Sequence, residues 1–519
     1  MTMFLGIDLG TYSVKGIVLG LGGELLAEAE VPHSVSSPVP GWAEHDAETV
    51  WWGGAVSVIR SLLQSLREHG YKDPARSIRA VGLSSLCPAF VLADDLGQPL
   101  RAAILYGIDA RAHREIETLR PIIGEATWHA CGSPLTTHSF LPKLVWLREH
   151  EPRTYKDAAR LFTANGYVVW KLAQRHVMDR KTACSAGLLD VTTYTWTHDL
   201  MDLAGVRSDW FGELVWPNEV VGTVSYAAAQ ETGLHAGTPV VVGTCDVVAE
   251  AVGAGVAHVG DLLVVFGSSV SFLMLTPRLV RDPRLYASVY VQPGTYYSGG
   301  STAAAGTLTR WFVYRFGLPP DFAPASSPDD PQHRLRRAFD LLAREAAQIA
   351  PGSEGVIVLP YWNGARTPIN DPKASGVILG LRTRHTATHL YRALLESVAY
   401  DVRLCVEHLQ SIGLRSRRIL CTGGGSKNRT WMQIVADVLG QELTCVTGAS
   451  AARGAAILAA WGTGAWGQKE TAAAEQLLKR YDVFPSPERH RDYEPYYELF
   501  RELFTATQTL MHRVQDLVE

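Results

Sequence analysis

The sequence predicts an α/β protein with two domains that share one plan. Its 519 residues exceed the roughly 250–300 residues at which a single hydrophobic core stops growing. Residues 4–18 read as two strands joined by a turn of glycine and hydroxyl residues, and residues 260–273 repeat that layout. Residues 238–243 form a continuous apolar run bounded by glycine, which is typical of a strand in a buried sheet.

Periodicity and turn residues predict the elements in chain order. Three strands occupy residues 4–30, two more flank residues 84–89, and another at 419–425 enters a glycine-rich turn. We predict an exposed Pro/Asp/Ser-rich loop at 319–333 and a peripheral helix after Pro485. The predicted helices are 51–69, 141–148, 166–172, 247–254, 302–316, 390–410, 430–439 and 451–461.

The composition excludes several classes of protein. A net charge of −4 gives no electrostatic footprint for nucleic acid or for an anionic membrane. The seven cysteines lie far apart without a Cys-x-x-Cys pair, which favours reduced thiols in a cytosol over a disulfide scaffold or zinc site. The N-terminus lacks the basic region of a signal peptide, and the apolar run 262–275 is too short to span a bilayer. We therefore expect a cytoplasmic protein.

The opening hairpin carries the first candidate phosphate site. Gly10 permits a sharp turn, after which Thr11, Ser13 and Lys15 offer amides, hydroxyls and a cation to an anion. Asp8, at the strand end, can hold a hydrated Mg²⁺. The chain contains no Gly-Lys-Ser or Gly-Lys-Thr, so a Walker-type loop is excluded. An ordinary tight hairpin that binds no ligand is the alternative, because Asp-Gly turns are common.

Asp246 is the candidate acid–base residue. It follows the buried strand at 238–243 and precedes a small-residue helical stretch. A carboxylate in that place can accept the proton of a substrate hydroxyl. An aspartate at the start of a helix is more often an N-cap.

Three glycine-rich turns are further candidate binding loops. Gly267-Ser268-Ser269 offers hydroxyls and amides to a phosphate, and residues 299–302 would open a helix whose free N–H groups meet one. Residues 421–428 place three glycines after a strand, so a flat ligand can approach the backbone and Asn428 can hydrogen-bond it. Ordinary turns and a flexible loop are the alternatives.

A polar cluster at residues 106–111 follows a predicted strand. Tyr106, Asp109 and Arg111 can bind sugar hydroxyls, or the aspartate and arginine can pair with each other. Residues 363–372 are dense in polar and turn residues, and composition alone predicts a surface loop there.

Taken together in chain order, the segments described above resemble those of the FGGY family of carbohydrate kinases, and the resemblance covers nearly the whole chain. Several matches in one order are far more specific than any single match. The matching segments are Asp8-Leu9-Gly10-Thr11 with Lys15, residues 41–46 with Trp51-Trp52, Leu141-Pro142-Lys143-Leu144, Asp246, Gly267-Ser268-Ser269, residues 364–381, Gly423-Gly424-Gly425 with Asn428, and residues 436–440.

The resemblance implies two ribonuclease H-like domains of the actin and hexokinase type, with ATP and sugar meeting in the cleft between them. Residues 1–257 would bind sugar and supply the base, 258–485 would bind nucleotide, and 486–519 would form a peripheral helix. Closure of the domains would limit ATP hydrolysis by excluding water. A homodimer is implied by the resemblance alone.

The implied activity is ATP- and Mg²⁺-dependent phosphorylation of a small sugar or polyol at a primary hydroxyl, as in xylulokinases, with a ketopentose such as D-xylulose as substrate. Asp246 would be the general base, and Asp8 and Asp246 would hold the metal through water. The implied phosphate and nucleotide residues are Asp8, Thr11, Tyr12, Ser13, Lys15, Gly267, Ser268, Ser269, Gly306, Arg310, Gly424, Gly425 and Asn428. The implied sugar residues are Cys87, Pro88, Tyr106, Asp109, Arg111, Asp246 and Val247.

The chain departs from the family pattern around the sugar. Residues 86–89 read Leu-Cys-Pro-Ala where pentulose kinases often read Gln-Met-His-Gly, and the Arg-Glu pair of glycerol kinases is absent. Tyr106 or Gly107 replaces the expected Trp, and Val247 follows Asp246 where Asn or Gln is frequent. A less polar pocket of this kind should tolerate deoxy or unusual sugars.

Two alternatives to a ketopentose kinase stay open at this point. One is a kinase for another substrate, such as ribulose, fuculose, erythritol or glycerol. The other is a non-catalytic protein of the same fold that binds nucleotide or sugar and acts as a regulator, because one fold serves many functions.

Overall fold

The computed structural model describes residues 2–316 and 331–518. Its contacts divide the chain into two compact units. The first contains Met1–Ala257, Leu275–Ser298 and Gly448–Leu478, and the second contains His258–Met274, Gly299–Thr447 and Lys479–Glu519. Two segments of the range 258–485, Leu275–Ser298 and Gly448–Leu478, are thus grouped with the first unit.

The strands are β1 (Met3–Leu9), β2 (Ser13–Gly20), β3 (Leu25–Pro32), β4 (Glu44–His45), β5 (Ile78–Ser85), β6 (Phe90–Ala93), β7 (Ala103–Ile104), β8 (Arg160–Thr163), β9 (Val177–Asp179), β10 (Leu189–Asp190), β11 (Thr195–Trp196), β12 (Glu213–Val215), β13 (Val220–Thr223), β14 (Pro239–Cys245), β15 (Asp261–Phe266), β16 (Val270–Thr276), β17 (Tyr286–Val289), β18 (Tyr296–Ser301), β19 (Ile357–Leu359), β20 (Val377–Leu379), β21 (Arg418–Thr422), β22 (Leu443–Thr447) and β23 (Lys479–Val483).

The α-helices are α1 (Gly53–Glu68), α2 (Pro74–Ser77), α3 (His113–Cys131), α4 (Phe140–His150), α5 (Pro152–Asp157), α6 (Ala164–Ala173), α7 (Arg180–Ser185), α8 (His198–Leu203), α9 (Tyr226–Thr232), α10 (Asp246–Ala254), α11 (Gly306–Phe316), α12 (Pro331–Ala346), α13 (Ala387–Ser411), α14 (Arg429–Leu439), α15 (Ala451–Gly462), α16 (Gln468–Gln476) and α17 (Pro487–Val518). Within the described residues, no helix is long and apolar enough to cross a membrane.

The first unit is built on a mixed sheet in the order β13-β14-β5-β1-β2-β3. β1, β2 and β3 pair antiparallel, while β1, β5 and β14 run parallel. The register places Asp8 between Lys15 on β2 and Ser84 on β5. Because parallel strands end at the same edge, the residues that follow β1, β5 and β14 meet there.

The second unit repeats this plan. β15 and β16 form an antiparallel hairpin, and β21 pairs parallel with β15. β22 pairs parallel with β21, and β23 pairs antiparallel with β22 at the edge of the sheet. The turns after β15 and β21 therefore lie at one edge of this sheet, as the turns after β1 and β5 do in the first. The predicted repeat of the hairpin layout at residues 260–273 is confirmed.

Helix α15 packs on the first sheet through glycine. A Cβ on Gly6 in β1 or on Gly82 in β5 would collide with the backbone of Ala452 or Ala455. The same helix packs against α10, where a Cβ on Gly454 would collide with the carbonyl oxygen of Ala249. The predicted small-residue helix at 451–461 is thus confirmed, and its small residues bring backbones into direct contact.

Two predicted features differ from the structure. Residues 299–301 belong to β18 and not to a helix, because the strand pairing continues through Thr302, whose N–H donates to the carbonyl of Val270 at 2.8 Å. Helix α11 begins only at Gly306. Of the predicted loop at 319–333, residues 319–330 lie outside the described residues, and 331–333 open α12.

The helix predicted to be peripheral, α17, forms part of the core of the second unit. Tyr493, Tyr497 and Phe500 on this helix are buried. The hydroxyl of Tyr493 lies 3.0 Å from the buried carboxylate of Glu396 on α13. The charged residues that suggested a surface helix alternate with an aromatic stripe, and the stripe decides where the helix packs.

We predict that Gly454→Ala destabilises the protein by about 1–3 kcal/mol, because a methyl group facing a carbonyl oxygen cannot be accommodated without backbone shifts. Urea unfolding followed by tryptophan fluorescence measures the loss. The matched control is Gly124→Ala in α3, where the nearest atom is the flexible side chain of Arg120. That variant should be neutral or slightly stabilised, and equal stability of Gly454→Ala and the unsubstituted protein would contradict the prediction.

Candidate active site

Asp8 lies at the carboxyl edge of the first sheet. The hydroxyl of Ser84 donates to its Oδ1 at 2.9 Å. Burial, and next the nearby charge of Asp246, raise the pKa of Asp8 to about 7. Two carboxylates close enough to disturb each other in this way are ligands of the kind that Mg²⁺ prefers.

The turn after β1 is held in shape by its own backbone and by a tyrosine. The N–H of Gly10 donates to the carbonyl of Ser13 at 3.0 Å. The Thr11 hydroxyl lies 3.0 Å from the hydroxyl of Tyr106. Tyr12 at the tip is 68% exposed, and Lys15 makes only a loose, exposed ion pair with Glu30 at 3.6 Å. The hydroxyls and the cation predicted to meet phosphate are thus clustered at one turn.

His45 links this turn to the core by hydrogen bonds at both of its ring nitrogens. Its Nδ1 accepts a hydrogen bond from the indole N–H of Trp51 at 3.2 Å, so its Nε2–H donates to the carbonyl of Thr11, also at 3.2 Å. Burial, and next the charge of neighbouring His33, lower the pKa of His45 to about 4. The neutral imidazole therefore connects the core to the Thr11 turn.

Asp246 is the first residue of α10, and Cys245 is the N-cap. The Cys245 sulfur accepts the N–H of Val248 at 3.5 Å, so the capping role that explained Asp246 from sequence belongs to its neighbour. One carboxylate oxygen of Asp246 accepts the N–H of Val247 at 2.8 Å. Burial raises the pKa of Asp246, against the lowering effects of that hydrogen bond and of Lys181. A carboxylate with a raised pKa is a stronger base.

Cys87 and Pro88 follow β5 at the same edge, where the structure adds a lysine that sequence reasoning missed. The Cys87 sulfur lies 3.6 Å from the Thr182 hydroxyl and 3.9 Å from Nζ of Lys181. Lys181 is only 5% exposed. No motif or spacing links residue 181 to residue 87, so only the fold could bring them together.

Asp109 and Arg111 pair with each other, which was the second of the two predicted alternatives. Both side chains are fully buried. The guanidinium donates to the Asp109 carboxylate at 2.8 Å and to Glu44 at 2.8 Å, and it stacks on the ring of Trp42. Since neither side chain has exposed surface, the structure does not support direct contact of these two residues with a sugar.

In the second unit, the turn Gly267-Ser268-Ser269 is joined to the start of α11. The N–H groups of Gly306 and Thr307 each donate at 3.0 Å, to the carbonyls of Gly267 and Ser268 respectively. A Cβ on Gly306 would press against the Gly267 carbonyl. The N–H of Gly306 is therefore already satisfied, while the side chain of Ser268 and that of Arg310, one turn along α11, are exposed.

The glycine-rich turn after β21 has one open glycine. Gly423 has a φ of +89° and packs on the backbone of Phe266, and a Cβ on Gly425 would also meet Phe266. Gly424 has nothing within 4 Å of its Cβ position. Asn428 is the N-cap of α14, with its Oδ1 accepting the N–H of Trp431 at 3.0 Å. Its amide group is left to donate elsewhere.

Comparison with protein families covers almost the whole chain. Residues 3–253 match the N-terminal domain of the FGGY family of carbohydrate kinases, and residues 262–463 match its C-terminal domain. The chain belongs to the FGGY family of carbohydrate kinases. The predicted family and the predicted ATP-dependent sugar kinase activity are confirmed.

Three similar proteins illustrate the relationship. A xylulose kinase of Staphylococcus epidermidis is 29% identical over 98% of this chain and 97% of its own. An autoinducer-2 kinase of Klebsiella pneumoniae is 30% identical over 98% of this chain and 94% of its own. The crystal structure of xylulose kinase from Rhodospirillum rubrum superposes with a TM-score of 0.88, at 31% identity, over 98% of this chain and 100% of that one. The predicted two-domain α/β fold is confirmed.

We predict that part of the acid sensitivity of this kinase arises from His45. A group whose pKa falls from 6.5 unfolded to about 4 folded binds fewer protons in the folded state, so stability falls as pH drops through that window. In His45→Phe, the loss of stability between pH 6.5 and pH 4 should be smaller by roughly 2–3 kcal/mol. Urea unfolding at a series of pH values tests this, and parallel curves for the two proteins would refute it.

Proposed function

We propose that this kinase transfers the γ-phosphoryl group of ATP to a primary hydroxyl of a ketopentose such as D-xylulose, with Asp246 as the general base. The observation that carries the proposal is the position of Asp246. It stands at the first turn of α10 beside Asp8, and Cys245 takes the capping role. The names of the relatives from S. epidermidis and R. rubrum support xylulose as the substrate.

Asp246 would accept the proton of the sugar hydroxyl as that oxygen attacks the γ-phosphorus in line. The bond from the γ-phosphorus to the bridging oxygen breaks, and ADP leaves. The raised pKa of Asp246 suits this proton transfer. Because the transition state of phosphoryl transfer is loose, positioning of the two substrates contributes most of the acceleration.

Asp8 and Asp246 suit a magnesium ion held through water. The repulsion by Asp246 that, after burial, helps raise the pKa of Asp8 to about 7 would be relieved by a bound cation. When bound, Mg²⁺ would neutralise phosphate charge. Ser84 keeps the Asp8 carboxylate in one orientation by its hydrogen bond.

We assign phosphate binding to the exposed and partly exposed residues of two turns. In the first unit these are Thr11, Tyr12, Ser13 and Lys15, and in the second unit Gly267, Ser268 and Ser269 with Arg310 and, as a packing residue, Gly306. Gly424, Gly425 and Asn428 are assigned to the adenosine. The open space at Gly424 and the unused amide of Asn428 support that assignment.

We assign sugar contacts to Cys87, Pro88, Tyr106 and Val247. Val247 is 40% exposed and directly follows the base. Asp109 and Arg111 would act indirectly, by fixing the loop that carries Tyr106. The homodimer remains a prediction from family resemblance.

Replacing Asp246 tests the proposed function directly. ADP formation, coupled to NADH oxidation, is measured with Mg²⁺-ATP and a panel of D-xylulose, D- and L-ribulose, L-fuculose, glycerol, erythritol and gluconate. We expect stimulation by D-xylulose, and a loss of at least ~100-fold in Asp246→Asn because general-base catalysis contributes that much. Asp202→Asn, an exposed carboxylate on α8, is the matched control. Full activity of Asp246→Asn would remove the base from the mechanism.

We predict that Asp8→Asn raises the Mg²⁺ concentration required for half-maximal activity by ~10–100-fold, the usual effect of removing a group that orients a bound metal. The amide keeps the size of the side chain and its contact with Ser84, so the thermal midpoint should change little. Magnesium titrations at saturating ATP provide the measurement. An unchanged magnesium requirement would place the metal elsewhere.

A further inference from the structure

Lys181 is a buried ammonium group beside the proposed sugar residues. It is 5% exposed, although it sits in the second position of the short helix α7. Its Nζ donates to the hydroxyl of Ser185 at 2.7 Å and lies 3.9 Å from the sulfur of Cys87. The ring of Tyr297 is 5.9 Å away. The thiol of Cys245 is a further hydrogen-bond partner of the ammonium. Since thiols are weak acceptors, the Ser185 hydroxyl is the one strong acceptor at Nζ among the described residues, and an oxygen of a bound sugar could replace a sulfur.

The position of Lys181 is fixed by a buried network that reaches the catalytic strand. The carboxylate of Asp179 caps α7 by accepting the N–H of Thr182 at 3.0 Å, and it also accepts the hydroxyl of Thr244 at 2.9 Å. Thr244 lies two residues before Asp246 on β14. The ammonium is therefore held at a set place relative to the base, as a specificity group must be.

Electrostatics keeps this lysine charged. Within residues 2–316 and 331–518, no carboxylate lies within 4.0 Å of its Nζ, yet its charge lowers the pKa of Asp246. Burial lowers the pKa of Lys181, whereas the negative charge that Cys245 and Cys87 carry when ionised raises it, and the net shift is above the usual range. The group is thus a charged hydrogen-bond donor and not an amine nucleophile.

The chemistry of ketopentoses supplies a partner for such a donor. Closing the furanose ring of a 2-ketopentose consumes the C5 hydroxyl, so a molecule phosphorylated at C5 must be bound open, with a free ketone at C2. A carboxylate would bring another negative charge towards Asp246 and the phosphates, which like-charge repulsion disfavours. A neutral carbonyl oxygen meets the ammonium without that repulsion.

We propose that Lys181 is a specificity-determining residue that donates a hydrogen bond to the C2 ketone of an open-chain ketopentose and so distinguishes it from the corresponding pentitols. This inference rests on the proposed function. The ammonium only donates and a carbonyl oxygen only accepts, so the two groups match. The C2 hydroxyl of a pentitol can also accept this hydrogen bond, but it brings a proton that needs an acceptor of its own in the buried site, and leaving that proton unpaired is costly. The less polar pocket expected from residues 86–89 thus gains a charged donor from another part of the chain.

The experiment compares D-xylulose with xylitol and D-arabinitol, the two pentitols formed by reducing its ketone. In Lys181→Met we expect kcat/KM for D-xylulose to fall about 10–100-fold, the effect of losing a charged hydrogen bond. The value for the pentitols should change by less than ~3-fold, so the preference for the ketone collapses. Lys171→Met, which removes another partly buried lysine of the same unit, is the matched control and should keep the preference.

Two further readouts examine the bound sugar. With D-xylulose labelled with ¹³C at C2, the unsubstituted enzyme should enrich the ketone resonance over the ring form, and Lys181→Met should not. ³¹P NMR of the product should show a 5-phosphate. ATP binding and the thermal midpoint of Lys181→Met, measured in parallel, separate a local effect from misfolding.

The outcomes separate this inference from the proposed function. An unchanged ratio of ketose to pentitol activity in a folded Lys181→Met enzyme overturns the role of Lys181 and leaves the ketopentose kinase intact. A 1-phosphate product overturns the role of Lys181 and leaves the ketopentose kinase intact. Preference of the unsubstituted enzyme for gluconate or glycerol overturns both the role of Lys181 and the proposed ketopentose substrate. Absence of turnover with every sugar removes both proposals together.

Discussion

The parallel pairing of β1, β5 and β14 is the constraint on which the candidate site depends. Each strand ends at the same edge, so Asp8, Cys87 and Asp246 converge although they are distant in sequence. Glycines in β1 and β5 fix this register, since only they can face the backbone of α15. A slip of one residue would turn side chains towards that helix and move Asp8 away from the edge.

This convergence concentrates charge in a place where water is scarce. Burial and the proximity of Asp246 raise the pKa of Asp8, and burial raises that of Asp246. Such an arrangement costs stability in the free protein, because two buried carboxylates, one of which raises the pKa of the other, are held at one edge of the sheet. Ser84, His45 and the Asp179 network offset part of the cost by holding the charged groups and their turns in place.

Local features of the sequence predicted the turns of the site well. The strand–glycine–hydroxyl hairpins at Gly10 and Gly267 and the glycine-rich turn at 423–425 form as expected, because glycine and strand patterning act within a few residues. Longer-range features were not accessible in this way. That Cys245 caps α10 depends on a sulfur contact, and the burial of the Asp109–Arg111 pair depends on Trp42 and Glu44. Neither arrangement is encoded in a local period or spacing.

The sugar pocket shows why residue-by-residue comparison with a family pattern is incomplete. Pro88 and Val247 occupy positions where the family pattern often has hydrogen-bonding side chains. A position-by-position comparison with that pattern therefore indicates a less polar pocket. The fold, however, brings α7 against the end of β14, and Lys181 with it. What a pocket recognises depends on all the donors and acceptors that reach it in space. In the proposed role of Lys181, one buried ammonium, whose hydrogen bonds are stronger than those of neutral groups, takes the place of the missing imidazole and amide. Substrate selection in this kinase therefore has to be derived from the three-dimensional set of donors around Asp246.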